Sequence, residues 1–275
     1  MVNFFASDLP LPETDLAFVQ LEPHENQRWS TWPSIIPSQR GPEPRPSWVV
    51  TSAGAFDTEL GVVKTGKEAD VFLVERAEPG HPGAVMAAKR YRSSDQRDFQ
   101  RSSQYEEGRR TRRSRDSRAI ANKSSYGRAI AADHWSFAEF EALCTLFELG
   151  APVPYPVQVN GTELLMEFIG EGRTAAPRLT QVHDNLPDLL DQVIDLMHVL
   201  ARAGFAHGDL SPYNLLVHEG RVVVIDLPQI VDVVSNPNGM DLLHRDCTNV
   251  ATWFTRQRVE CDAEELFADL LGEVY

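Results

Sequence analysis

The stretch that decides the fold is residues 207–226, HGDLSPYNLLVHEGRVVVID. It places Asp209 five residues before Asn214, and a short apolar run then ends on Asp226. The segment between these last two residues, LLVHEGRVVVI, is typical of two short strands that meet at a Glu-Gly turn. A loop followed by such a hairpin would bring the three polar side chains to one place.

These residue types suit the transfer of a phosphoryl group. That reaction needs a carboxylate near the attacking hydroxyl, and oxygen ligands that hold magnesium on the phosphates. Asp209 is the candidate catalytic residue that orients or deprotonates the hydroxyl, and Asn214 and Asp226 are candidate metal ligands. The structural alternative makes Asp209 and Asn214 turn-formers and Asp226 a strand-end cap. The combined spacing favours phosphoryl transfer.

Working outward, residues 61–92 predict three strands. GVVKTGKEADVFLVER gives two β-rich runs around a short polar turn, and VMAAKRYR gives a third strand. Lys89 lies within that third strand, where an isolated ammonium among apolar neighbours is costly unless it is paired. The alternative is a side chain whose stem carries the charge out to solvent.

A helix is expected from near Asp133, as a candidate N-cap, to Gly150. It offers two carboxylates that could pair with Lys89. Glu139 shares a face with leucines, whereas Glu141 shares a face with polar residues. Because the apolar face of a helix turns toward the core, the periodicity favours Glu139.

The second half of the chain is more helical, with apolar residues at helical intervals in segments 186–204, 239–257 and 262–271. A β-rich first half, joined near residue 170 to an α-rich second half, predicts an α+β fold of two lobes around a cleft. The predicted domains are an N-terminal extension at 1–50, an N-lobe at 51–169 and a C-lobe at 170–275.

The extension contains eight prolines, which exclude any long helix. Two interpretations remain open: a disordered tail, or a segment partly docked on the body. The apolar residues that favour docking are Trp29, Trp32, Ile35 and Ile36.

Charge is distributed unevenly along the 275 residues. The net charge is −14, yet the segment from Lys89 to Arg128 holds thirteen basic and five acidic residues. Residues 92–128 are therefore predicted to form a mobile basic loop. It is either a solvated linker or a contact surface for RNA, a ribosomal particle or an acidic protein.

Composition also limits the cellular setting. No apolar run approaches the roughly 18 residues that a membrane span needs, and the first residues do not resemble a signal peptide. The three cysteines lack CxxC spacing, which argues against a zinc site or a disulfide framework. We expect a reducing cytoplasm and no membrane contact.

Several motifs, in order, resemble those of the RIO family of atypical protein kinases. TGKEADVF resembles its phosphate loop, AAKRYR its lysine strand, LLMEFIG its hinge, and MDLLHRDCTNVATWF the helix that follows its metal loop. The resemblance covers about residues 55–258 and fits the serine-kinase branch without a winged helix. The composition would suit a bacterial member. The resemblance implies a kinase-like fold, ATP as a cofactor, and Mg²⁺ or Mn²⁺ as the ion.

The resemblance also implies roles for individual residues. Lys89 would contact the α- and β-phosphates and pair with Glu139, and Asp226 would carry a transient phosphoryl group. His207 would pack and hydrogen-bond the loop backbone rather than act as a base. The other nucleotide contacts would come from the phosphate loop and the hinge: Thr65, Gly66, Lys67, Glu68, Ala69, Asp70, Val71, Met166, Glu167 and Ile169.

Taken alone, the phosphate-loop segment would be an ordinary turn, and MEFIG would be the end of a buried strand. The chain departs from the family pattern at Gly208, Pro212 and Pro228. Proline at 212 stiffens the loop, and proline at 228 removes an amide donor after Asp226.

The function that this implies is an ATP- and magnesium-dependent serine/threonine protein kinase, with ATPase activity through an aspartyl-phosphate. Its protein substrate is not indicated. Two alternatives stay open: a small-molecule kinase of the aminoglycoside-phosphotransferase type, where HGDxxxxN also occurs, and a nucleotide-gated scaffold. The segments TGKEADVF and RDCTNV favour the RIO interpretation over the first alternative.

Overall fold

The first lobe is built on one antiparallel sheet. The computed structural model describes residues 22–92, 125–227 and 230–274. The strands of this sheet are β1 Gln27–Trp29, β2 Phe56–Thr65, β3 Ala69–Ala77, β4 Ala84–Tyr91, β5 Pro156–Asn160 and β6 Glu163–Glu167. They lie in the order β1-β2-β3-β4-β6-β5, so β4 is a central strand flanked by β3 and β6.

The strands predicted around the phosphate loop, at the lysine and at the hinge are confirmed. The sequence analysis missed β5, which begins on Pro156 and is buried through Val159. Proline is tolerated at the first residue of a strand, and in this chain it hid the strand among three closely spaced prolines.

The helix behind the sheet, α1, runs from Ser125 to Glu148. Its end was predicted correctly, since Gly150 follows with a φ of 77°. Its predicted start near Asp133 was wrong. Asp133 lies inside the helix, where its carbonyl accepts a hydrogen bond from the Ser136 hydroxyl. An N-cap residue type is a local signal, and it does not stop a helix from beginning earlier.

Residues 22–50 are packed against the sheet, so the docked interpretation holds for this part of the extension. Trp32 and Ile35 are buried in a cluster with residues of the sheet, and β1 pairs with β2. Of the other two apolar residues that favoured docking, Trp29 and Ile36 are exposed. Residues 1–21 lie outside the described residues.

The second lobe is mainly helical and confirms the two-lobed α+β fold. Its helices are α2 Leu186–Arg202, α3 Gly239–Arg256 and α4 Ala263–Val274. Its short strands are β7 Gly170–Glu171, β8 Thr174–Ala175, β9 Phe205–Ala206, β10 Leu215–His218, β11 Arg221–Val224 and β12 Val231–Asp232. Strand β10 pairs with β11, and β12, the next strand along the chain, pairs with β9. The segments that leave β9 and β11 therefore lie close together.

The predicted basic loop falls mostly on residues 93–124, which lie outside the described ranges. Within those ranges, no helix combines the length and the apolar character needed to cross a bilayer.

A buried arginine ties the N-lobe strands together. The guanidinium of Arg76 on β3 is fully buried and donates two hydrogen bonds to Asp57, at 2.6 and 3.0 Å. A third goes to Gln158 at 2.8 Å, and the Gln158 amide donates to the Thr31 hydroxyl. The network therefore joins β2, β3 and β5 to the N-terminal segment.

We expect the substitution Arg76→Met to lower the free energy of unfolding by about 3–5 kcal/mol, because the buried Asp57 carboxylate loses both of its hydrogen bonds to Arg76 and keeps only the longer ion pair with Arg28, at 3.5 Å. Chemical denaturation measures this loss. The matched control is Arg202→Met, which removes an exposed pair with Glu273 at 3.7 Å and should cost no more than about 1 kcal/mol. Equal losses in the two variants would contradict the role given to Arg76.

Candidate active site

The loop from His207 to Asn214 follows β9 and is held from below by Asp246 of α3. The two carboxylate oxygens of Asp246 accept hydrogen bonds from the backbone amides of Gly208 and Leu210, both at 2.8 Å. Asp246 is buried, whereas Asp209, between those amides, is exposed. The two hydrogen bonds to Asp246 (the Asp246 clamp) fix the backbone on either side of Asp209.

The RDCTNV segment was matched from the sequence, but the hydrogen bonds of Asp246 to the loop backbone were not predicted. The available signal was an aspartate on the apolar face of a helix, in register with Leu242, Leu243 and Val250. Burial raises the pKa of Asp246, while the two amide hydrogen bonds lower it in part. A buried carboxylate at this position is costly unless it accepts the hydrogen bonds of those two amides.

His207 is placed as predicted. It is buried, its Nδ1 accepts a hydrogen bond from the Asp209 amide at 3.3 Å, and its Nε2 lies 3.4 Å from the Ile225 carbonyl. Gly208 has a φ of 80°, a left-handed conformation in which any side chain would be strained. The departure to glycine therefore matches the backbone at this point.

Asn214 and Asp226 are brought together by the hairpin. The Ile225 amide donates to the Asn214 carbonyl at 2.9 Å, which places the residue before Asp226 beside Asn214. The side-chain amide of Asn214 donates to the Asp209 carbonyl at 2.9 Å. Asp226 has a φ of 69°, a costly conformation for a residue other than glycine. Pro228 lies outside the described residues.

Lys89 joins the two lobes through a pair of carboxylates. Its ammonium donates to Glu139 on α1 and to Asp226, each at 2.7 Å. Burial alone would lower the pKa of Lys89, but the neighbouring anionic groups outweigh burial and raise it well above its usual value. In turn, the Lys89 charge holds the pKa of Asp226 below its usual value. The helix partner that the periodicity favoured, Glu139, is the one in contact.

Glu139 makes two further contacts that the sequence did not indicate. One oxygen, Oε1, also accepts the Leu227 amide at 3.2 Å, and Oε2 accepts the hydroxyl of Tyr91. The first contact ties α1 to the segment directly after Asp226. Such contacts depend on the way three distant segments pack, and no local pattern encodes them.

The predicted phosphate loop lies between β2 and β3. The Gly66 amide donates to the Ala69 carbonyl at 3.0 Å, and a Cβ at Gly66 would lie 2.7 Å from that oxygen, so only glycine fits. Ala69 and Val71 pair with Tyr91 and Lys89 of β4, which sets the loop beside the lysine. Thr65, at the end of β2, pairs with Asp70.

The charged residues of this loop differ in their surroundings. Asp70 pairs with Arg92, at 2.8 and 2.6 Å, and these hydrogen bonds lower its pKa. Lys67 is exposed. The carboxyl of Glu68 has a raised pKa because of burial and of neighbouring charges, of which Asp226 is the strongest and Glu139 and Asp209 are others. The Asp70 carboxylate is thus engaged by Arg92, whereas the Glu68 residue is exposed.

The predicted hinge follows β6. Met166 and Glu167 are the last two residues of β6, and the Glu167 amide donates to the Tyr155 carbonyl at 2.8 Å. The Ile169 carbonyl accepts a hydrogen bond from the Ala176 amide at 2.9 Å.

Comparison with known proteins agrees with this geometry. The model of the RIO domain family matches residues 70–266. The chain is 37% identical over 221 residues to the RIO-type serine/threonine-protein kinase Rio1 of Haloferax volcanii, a match that covers 80% of this chain and 71% of that protein. It is 34% identical to Rio1 of Methanocaldococcus jannaschii with the same coverage.

The fold has solved counterparts. The Rio2 kinase–ADP/Mg²⁺–phosphoaspartate complex of Chaetomium thermophilum superposes with a TM-score of 0.59 at 23% identity, over 78% of this chain and 62% of that one. A second structure of the same kinase gives a TM-score of 0.58. With a RIO domain over most of its length and two Rio1 relatives that match 80% of it, the chain belongs to the RIO family of serine/threonine-protein kinases and is an ATP-dependent kinase.

Proposed function

We propose that Asp209 is the base of this kinase and that Lys89 binds the phosphates of ATP during transfer to a serine or threonine hydroxyl of a protein. The observation that carries the proposal is the set of contacts that joins the two lobes at Asp226. The Lys89 ammonium of the N-lobe donates to Asp226 at 2.7 Å, and the amide of the preceding residue, Ile225, donates to the Asn214 carbonyl at 2.9 Å. The side-chain amide of Asn214 donates to the Asp209 carbonyl at 2.9 Å, so the proposed base and the phosphate-binding lysine come from different lobes.

In the proposed reaction, the hydroxyl oxygen attacks the γ-phosphorus while Asp209 accepts its proton. The bond from the γ-phosphorus to ADP breaks, and ADP leaves with that electron pair. Because such a transition state spreads negative charge over the phosphoryl oxygens, catalysis is mostly positioning and charge stabilisation. The Asp246 clamp provides the positioning of Asp209, and Lys89 provides charge.

The residues present fit a magnesium ion. The side-chain nitrogen of Asn214 donates to the Asp209 carbonyl, so the side-chain oxygen of Asn214 is the atom that remains for a metal. Asp226 bonds Lys89 through Oδ1 and has a second oxygen for a cation. Magnesium prefers such oxygens, together with substrate phosphates and water. When bound, it would neutralise charge on the β- and γ-phosphates.

The proposed nucleotide contacts extend to the phosphate loop and the hinge. Backbone amides of residues 65–71 would bind phosphate oxygens, because Gly66 allows a close approach of the backbone. Glu167 and Ile169 would bind the adenine edge beside Met166. The two lobes that hold these groups divide at residue 170 in this proposal.

We further propose that Asp226 accepts the phosphoryl group itself, by analogy with the phosphoaspartate of the Rio2 complex. A carboxylate oxygen of Asp226 would attack the γ-phosphorus, ADP would leave, and water would then hydrolyse the acyl phosphate to release phosphate. The chain would thereby act as an ATPase when no protein substrate is bound.

The cellular setting and partners belong to the proposal as well. We place the chain in the cytoplasm, because Cys144, Cys247 and Cys261 are free thiols. Burial raises the pKa of Cys144 and of Cys247 to about 12, so these thiols remain protonated and unreactive. The basic segment 92–128 is the proposed contact for RNA, a ribosomal particle or an acidic protein.

The substitution Asp209→Asn should reduce turnover by about 10²- to 10⁴-fold, the usual contribution of a general base. Binding of Mg·ADP should stay close to that of the unaltered chain, because Asp209 contacts neither the proposed metal nor Lys89. Phosphate release and calorimetry measure the two effects. Asp195→Asn, on the exposed face of α2, is the matched control. Full turnover by the Asp209 variant would disprove its role as the base.

With γ-labelled ATP, the chain should give acid-stable label on serine or threonine and hydroxylamine-labile label on Asp226. The substitution Asp226→Asn should remove the labile label and weaken Mg·ADP binding, because it removes a nucleophile and a charged ligand. The control is again Asp195→Asn. If neither label nor phosphate release appears with magnesium, the kinase proposal fails and the scaffold alternative gains.

Asp246→Asn should lower kcat by about 10- to 100-fold and cost about 1–3 kcal/mol of stability, since one buried backbone amide then faces an NH₂ group instead of an oxygen. The matched control is Asp241→Asn in the first turn of the same helix, where the side chain is exposed. Steady-state kinetics and denaturation measure both quantities. An Asp246 variant with unchanged kcat would show that the clamp does not position Asp209.

A further inference from the structure

The Tyr91 hydroxyl lies beside the buried ion pair of Lys89 and Glu139. It lies two residues after Lys89 on β4, so both side chains leave the strand on the same face. Both are buried, with 8% of Lys89 and 6% of Tyr91 exposed. The Lys89 nitrogen also lies 5.3 Å from the centre of the Tyr91 ring, within the range of a cation–π contact.

The Tyr91 hydroxyl completes the set of donors around Glu139. Oε1 accepts Lys89 at 2.7 Å and the Leu227 amide at 3.2 Å, and Oε2 accepts the Tyr91 hydroxyl. Burial, with the Glu139 charge in addition, raises the pKa of Tyr91 well above its usual value, so the phenol keeps its proton and remains a donor. With both oxygens engaged, the carboxylate has one orientation.

This orientation matters because Lys89 has a competing partner. Its bond to Asp226 is as short as its bond to Glu139, 2.7 Å in each case. Without the Tyr91 hydroxyl, Oε2 would be a buried charged oxygen with no donor, and the carboxylate would turn to find one. The ammonium would then move toward Asp226 and away from the phosphate site.

We propose that Tyr91 is a positioning residue for the nucleotide: by fixing Glu139, its hydroxyl keeps Lys89 where it meets the phosphates of ATP. This inference rests on the proposed role of Lys89. Tyr91 itself touches neither substrate nor metal, and it acts through Glu139. Because a lysine–phosphate contact is present before and during transfer, losing it should weaken ATP binding more than the chemical step.

The test is Tyr91→Phe, which removes the hydroxyl and keeps the ring in its cluster with Ala69, Ala132 and Trp135. We expect KM for ATP and Kd for Mg·ATP to rise about ten-fold, the effect of one hydrogen bond to a charged group, while kcat changes less than about three-fold. The control is Tyr155→Phe, another buried tyrosine, whose hydroxyl donates to the Pro42 carbonyl at 2.9 Å. It should leave both constants unchanged.

A double-mutant cycle separates positioning from packing. If Tyr91 acts through Glu139, adding Tyr91→Phe to Glu139→Gln should raise Kd for Mg·ATP by less than about two-fold beyond the single Glu139 variant. If the two substitutions instead raise Kd independently, so that their effects multiply, the inference is overturned, as it is by an unchanged Kd in Tyr91→Phe. If the unaltered chain binds no Mg·ATP, the proposed function fails too; if it binds and only the Tyr91 result fails, the proposed function stands.

Discussion

A buried ammonium is costly unless carboxylates surround it, and Lys89 meets this constraint by drawing three segments together. The lysine comes from the central strand β4, Glu139 from α1, and Asp226 from the end of the β10–β11 hairpin. None of these segments is adjacent to another in sequence. The pairing of this one charge therefore constrains both the position of α1 against the sheet and the approach of the C-lobe hairpin.

A second buried carboxylate does the corresponding work in the C-lobe. Asp246 accepts two backbone amides and so fixes the loop that carries Asp209. Glu139 has two roles: it pairs with the Lys89 charge, and it also accepts the backbone amide of Leu227, the residue after Asp226. The rigid parts of the cleft are thus held by buried acceptors, while the side chain proposed as the base stays exposed.

The sequence was informative about features that depend on short motifs or on the periodicity that distinguishes the faces of a helix. The spacing of Asp209, Asn214 and Asp226 predicted a shared site, and the leucine face of α1 separated Glu139 from Glu141. The start of α1, strand β5 and the work of Asp246 and Tyr91 were not found. These features depend on contacts between distant segments: Asp133 has the local character of an N-cap, and the Asp246 carboxylate is explained only by amides 36 and 38 residues away.

The charges of the cleft explain why its nucleotide has to arrive with a cation. Burial and, after it, the Asp226 charge raise the pKa of Glu68, which disfavours further negative charge beside that carboxyl. Lys89 pairs with both Glu139 and Asp226, so its single charge does not by itself neutralise a triphosphate. Outside the segment from Lys89 to Arg128, the chain holds thirteen basic and thirty-five acidic residues, a field that opposes any bare polyanion. A divalent ion carried by ATP would reverse this balance locally, because it would supply positive charge beside Asn214 and Asp226, the proposed oxygen ligands. The same acidity that disfavours polyanions in general therefore favours the metal-bound nucleotide over the free one.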